Sequence, residues 1–190
     1  MSRTYTQKRR AEQQAQTRQR IVEAAVDLHS SIGPAATTIS MIAEQAGVQR
    51  HTLYAHFPDE HSLHLACSGL TMDRDPPPNA ETWRAIAERR ERIHTGLTAI
   101  YKWYARNASL VACVLRDAEH HALTREISEM RWRPSMAAYR AVLGQKLNAR
   151  QRALLHLALS FHTWRTLVGE GGLKPADAVE AMVRTIDGAR

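Results

Sequence analysis

The chain has 190 residues, 44% of them hydrophobic and 24% charged, with a formal net charge of +7. That size and balance describe one domain or two small ones with apolar side chains to spare for a core, which excludes a disordered chain. No run nears the ~18 apolar residues of a membrane span. The opening MSRTYTQKRR lacks the apolar stretch of a secretory signal, and two cysteines are too few for a disulfide scaffold, so a reducing cytoplasm is expected.

The charge is unevenly spread. Residues 1–20 hold Arg3, Lys8, Arg9, Arg10, Arg18 and Arg20 against Glu12, whereas residues 21–70 hold only Arg50 against five carboxylates. A basic balance favours an anionic partner, nucleic acid first. Residues 1–16 are expected to form a disordered basic arm.

Helical spacing dominates from there on, and alternating strand patterns are missing. Ile21, Ala24, Ala25 and Leu28 share a face of a first helix that stops at Gly33-Pro34. Thr38 is placed to cap a second, carrying Ile39, Ile42 and Ala43, which Gly47 ends. A third runs from about Gln49 to Phe57, and a fourth opens at Asp59. Pro76-Pro77-Pro78 dictates a loop over 73–79 and a domain boundary. Beyond it come a long helix over Ile86–Tyr104, one around Leu110–Leu115, and one over 122–146 kinked at Pro134. Asn148 and Gln151 have the spacing of a capping box opening a helix to about Gly169, and Pro175 begins the last.

Residues 37–57, TTISMIAEQAGVQRHTLYAHF, place two short helices around Ala46-Gly47-Val48, the spacing of a helix-turn-helix. The third helix is polar on its free face, with Gln49, Arg50, His51 and Thr52, as a helix entering the major groove must be. Arg50 can bond guanine O6 and N7 in a bidentate manner. Thr37-Thr38-Ile39, Ile42-Ala43, Ala46-Gly47-Val48, Thr52-Leu53-Tyr54 and His56-Phe57 resemble, in kind and register, the TetR family of bacterial transcriptional regulators. The resemblance covers roughly residues 17–68.

That resemblance implies an all-α fold of about nine helices, with an N-terminal three-helix reading head at 17–70 and an effector-binding and dimerisation domain at 76–190. It implies a homodimer, most simply a repressor, that binds double-stranded DNA at a palindromic operator and is released by a small-molecule effector. Arg50, His51 and Thr52 match groove-facing positions, and Tyr54 and His56 match phosphate contacts. Thr38 matches a position near the backbone, and Ser40 one within reach of base or phosphate. The sequence departs from the family pattern at Gln49, often serine, at His51, often small, and at Glu60, usually lysine. The alternative is a helical small-molecule-sensing protein without DNA control.

For an effector, the aromatics of the C-terminal part offer a mostly apolar lining. Trp103 and Trp132 are the leading candidates, with His94, Arg116, Arg133 and His162 as polar groups. Leu154–Val168 is apolar on more than one face, so one side is expected to meet a partner subunit. Leu159, Leu167, Val179 and Val183 are the expected dimer residues, in a four-helix bundle with the last helix. No cofactor is expected. His61, His64, His120 and His121 lack zinc-site spacing, and no phosphate loop, nucleophile elbow or carboxylate pair points to an enzyme.

Overall fold

In the computed structural model, which describes residues 3–189, the chain is helical throughout, and no strand occurs among the described residues. The helices are α1 Arg3–Ser31, α2 Ile39–Gln45, α3 Arg50–His56, α4 Glu60–Arg74, α5 Arg89–Arg106, α6 Ala108–Ala118, α7 Ala122–Leu143, α8 Ala149–Ala158, α9 Phe161–Trp164 and α10 Pro175–Gly188. No described helix is long and apolar enough to cross a membrane.

The chain divides into two compact units. Met1–Pro76 with Ala112–Ser128 form the first, and Pro77–Val111 with Glu129–Arg190 the second. The helices α6 and α7 therefore begin in one unit and end in the other.

In the first unit, Ile21, Ala24, Ala25, Ile42, Leu53, Phe57 and Leu63 make an aliphatic core with one aromatic ring. Residues 3–16 continue α1 as regular helix instead of forming a disordered arm; residues 1 and 2 lie outside the described residues. Arg, Gln, Ala and Glu are good helix formers, and an established helix extends through them at little cost. The end of α1 depends on Gly33, whose φ of 99° suits glycine alone. The absent side chain matters equally, because a Cβ there would collide with Arg116 and Asp117 of α6. Asp117 is 2% exposed. It accepts the Ala35 N–H at 2.9 Å and Arg116 Nε at 2.7 Å, while Arg116 Nη2 donates to the Ile32 carbonyl at 2.8 Å. Burial pushes the Asp117 carboxyl up, but these two donors outweigh it and hold the group below its ordinary range. Arg116 thus clamps the α1–α2 turn, instead of offering a polar group to an effector.

The second unit packs α10 on α5 and α8. The expected helix from Ile86 starts only at Arg89, because the Glu88 carboxylate accepts the N–H groups of Arg90 and Glu91 and caps it there. Arg90 pairs with Glu180 and Asp187 of α10. The capping box of Asn148 and Gln151 is present, and α7 runs helically through Pro134. The helix expected over 148–169 breaks in two at Ser160, which raises the helix count to ten. Tyr101 Oη donates to the Ala158 carbonyl at 3.1 Å and Tyr104 Oη to Leu159 at 2.7 Å, so the carbonyls at the break are satisfied. The Ser160 hydroxyl then caps α9, and a π-helical turn Arg165–Glu170 follows. Burial pushes all three phenols of this unit, Tyr101, Tyr104 and Tyr139, far above their ordinary range.

Candidate nucleic-acid interface

Three short-range devices set the reading head. The Thr38 hydroxyl accepts the Met41 N–H at 3.2 Å and starts α2. Gly47, with φ of 63°, turns the chain in a conformation costly to other residues. Leu53 and Phe57, both essentially inaccessible, then pin the inner face of α3 into the core.

Pinning that face decides what the other presents. Gln49, Arg50, His51 and Tyr54 are exposed, and Thr52 and His56 are half-buried. From α2 and its cap, Thr38 and Ser40 are exposed as well. The eight residues named from sequence thus all retain accessible surface, grouped on α2, α3 and their caps. Gln49 stands at the N-cap of α3 without a side-chain bond. Its amide is therefore left for outside partners, at the cost of an uncapped helix. Arg50 is the one guanidinium on α3.

Two further arginines border this surface. Arg18 of α1 lies over the Phe57 ring, 4.7 Å from its centre, a cation–π contact that fixes the guanidinium beside the end of α3. A Cβ placed on Gly47 would lie 3.9 Å from Arg20 Nη1, so a second guanidinium flanks the turn. Only the basic charge of residues 1–20 hinted at either.

At the start of α4, Asp59 accepts the Ser62 N–H at 2.7 Å. That backbone donor, with the Ser62 hydroxyl, holds the Asp59 carboxyl below its ordinary range. Glu60 is the first helical residue and is exposed. Two carboxylates therefore occupy the helix end that would otherwise attract phosphate.

In the second unit, Trp103 and Trp132 meet edge to face with ring centres 4.7 Å apart. Tyr104, Phe161 and Trp164 extend the cluster. The four expected dimer residues separate. Leu159, Val179 and Val183 are buried within this unit, and only Leu167 keeps accessible surface. Periodicity marked them as apolar and buried; the element that buries them is their own chain. The exposed apolar surface of α8 is Leu157, half of it accessible, beside the half-buried Leu154.

Comparison with known proteins bears on both units. Residues 21–67 match the family model for bacterial regulatory proteins of the tetR family. No curated protein matches the sequence. Among solved structures, a TetR-like transcriptional regulator from Rhodococcus sp. RHA1 superposes with a TM-score of 0.61 at 18% identity, over 90% of this chain and 93% of its own. The transcriptional regulator FadR from Bacillus subtilis, in complex with stearoyl-CoA, gives 0.61 at 16% identity over 88% and 96%. The multidrug binding protein EbrR, complexed with imidazole, gives 0.59 at 16% over 88% and 93%. At these identities the likeness is one of fold, and it extends well beyond the reading head. Residues 21–67, which form a helix-turn-helix whose polar face is free, thus match the N-terminal domain of the tetR family of bacterial regulatory proteins, and the rest of the chain shares the fold of solved regulators of that kind.

Proposed function

We propose that the chain is a cytoplasmic, ligand-responsive repressor that binds a palindromic operator as a homodimer and leaves it when a small molecule binds. The observation that carries this reading is α3, with Leu53 and Phe57 buried behind it and Arg50, His51 and Tyr54 free in front. In this reading Arg50 reads a base pair while His51 and Thr52 line the groove. Tyr54, His56, Thr38 and Ser40 position the helix through phosphates, and Gln49 adds an amide at its entry. Arg18, Arg20 and the basic residues of 1–16 supply phosphate contacts that carry no sequence information. A selection of bound sequences from random duplex DNA, repeated across a salt titration, tests this. A twofold-symmetric site with a steep salt slope is expected, and sequence-independent binding alone would refute it.

The aromatic cluster around Trp103 and Trp132 supports an effector site in the second unit. Trp164 Nε1 is buried there without a hydrogen-bond partner among the described residues, so the cluster has a donor to offer a ligand. The stearoyl-CoA of FadR and the imidazole of EbrR are the first compounds to try. Quenching of tryptophan fluorescence with loss of DNA binding is expected for an effector. For the dimer, the surface this chain offers is Leu154, Leu157 and Leu167.

A further inference from the structure

Three imidazoles converge inside the first unit, from α1, α4 and the turn between α6 and α7. The rings of His29 and His64 are 4.9 Å apart, and those of His64 and His121 6.3 Å. His29 and His64 are buried, 4% and 9% exposed. Their hydrogen bonds settle where the ring protons sit. His64 Nδ1–H donates to the Glu60 carbonyl at 2.9 Å. The Cys67 thiol donates to the His64 carbonyl at 3.2 Å, which leaves its sulfur to accept from His29 Nδ1–H at 3.4 Å. Each Nε2 therefore carries a bare lone pair, and each is buried with no hydrogen-bond partner among the described residues. A proton added to either Nε2 would create a buried cation whose new N–H has no acceptor.

The surrounding charges do not rescue that cation. Asp117, on α6, favours it, but its carboxylate already serves Ala35 and Arg116. Glu60, on α4, also favours it, but from the surface. Opposing it are His61, whose Nε2 lies 3.3 Å from Glu126, and His121, whose Nδ1 lies 2.7 Å from Thr124 Oγ1. The cationic Arg116 bonds the nearby Ile32 carbonyl, and His120 is exposed on the same turn.

We propose that His29, His64 and His121 form a proton-released latch that holds residues 112–128 against the reading head. Neutral, the rings pack and the Asp117 and Arg116 bonds to the α1–α2 turn stay closed. When the segment lifts, water reaches both Nε2 atoms and they take up protons. Burial pushes His29 from an ordinary 6.5 down to about 3, and lowers His64 as well. The latch is therefore fully closed above 6.5 and weakens as pH falls from there toward 3, by up to about tenfold per pH unit for each imidazole. The latch lies wholly within the first unit, and the segment it holds is entered through α6 and left through α7.

Amide hydrogen exchange on the full chain, corrected for the intrinsic rate, tests this between about pH 7.5 and about pH 5.5. Protection over 112–128 should fall by about tenfold to about a hundredfold, while Leu97 and Ile100 in the second unit stay nearly constant. His29→Phe or His64→Phe should remove most of that fall. An unchanged profile, an equal fall in both units, or an undiminished fall in both variants would overturn the latch. If neither variant folds, NMR titration of His29 and His64 in the wild type decides. Depressed titration coincident with lost protection supports the latch; titration at the ordinary value with 112–128 still protected overturns it.

Discussion

The two units differ in how they treat their buried titratable rings. The second buries three phenols, and each hydroxyl donates to a carbonyl: Tyr101 to Ala158, Tyr104 to Leu159 and Tyr139 to Pro78. Burial pushes these phenols upward, so none of them ionises in the range where a histidine does. The first unit buries two imidazoles with a lone pair each left bare. A satisfied buried group fixes a structure, whereas an unsatisfied titratable one leaves it conditional on the solution. Surfaces differ in the same sense. The first unit turns polar side chains outward along α3, while the second folds its aromatic residues in and leaves little apolar surface beyond Leu157, Met130 and Leu173.

The largest effect should come from confusing the second unit's core with its surface. Leu159 is fully buried and Leu157 half exposed, two residues apart. Leu159→Glu puts an uncompensated charge in the core and should cost about 4–5 kcal/mol, much of a domain's stability. Leu157→Glu should leave thermal unfolding within about 1 kcal/mol and turn dimers into monomers. Thermal unfolding together with sedimentation separates the two. A folded monomer from Leu159→Glu would contradict the burial seen here.

The next effect tests the contrast in proton sensitivity. All four tryptophans, Trp83, Trp103, Trp132 and Trp164, lie in the second unit, so their fluorescence reports on that unit alone. The unfolded chain takes up a proton at His29 near pH 6.5 and the folded chain only near 3, so stability falls as pH drops through that window. His29 alone should cost the first unit about 2 kcal/mol by about pH 5. Urea unfolding followed by circular dichroism should then show a transition moving to lower urea on acidification, ahead of the fluorescence transition. Coincident shifts would mean the units unfold as one.

How far each unit could be read from sequence follows from the range of the forces that shape it. In the first, Thr38, Gly47 and the buried Leu53 act within a few residues, so spacing alone placed the turn and the free face of α3. In the second, helical spacing marked Leu159, Val179 and Val183 as buried but could not say by what. The break at Ser160 is stabilised by phenols more than fifty residues away, beyond any local pattern. The histidine cluster joins positions 29, 64 and 121, and the Arg18–Phe57 contact joins residues far apart in the chain. Positive charge at the N-terminus pointed to disorder, but helix propensity prevailed.

A smaller effect sharpens the reading of α3. Arg50→Ala should weaken specific binding by about 1–3 kcal/mol and relax preference at one base pair of each half-site. It should leave stability almost unchanged, since the side chain is exposed. Binding-site selection with the variant checks both, and an unaltered preference would remove Arg50 from base reading.

The smallest expected change concerns Glu60, where folding and DNA binding pull apart. An acidic residue in the first turn stabilises a helix by roughly 0.3–1 kcal/mol, because free N–H groups make that end positive. Glu60 does so in α4 beside the capping Asp59. The family pattern usually has lysine at this position, a charge suited to a phosphate, and beside a phosphate the carboxylate would oppose the DNA charge. Glu60 is exposed and bonds its side chain to no described residue, so little in the fold depends on it. Glu60→Lys should therefore lower stability by only a few tenths of a kcal/mol, about the size of the lost helix-end interaction. It should tighten DNA binding and steepen the dependence of log affinity on log salt by up to about one unit, the worth of one added phosphate contact. A salt titration of both proteins on one operator measures the slope. An equal slope would place the start of α4 away from the DNA backbone and leave Asp59 and Glu60 as purely structural caps.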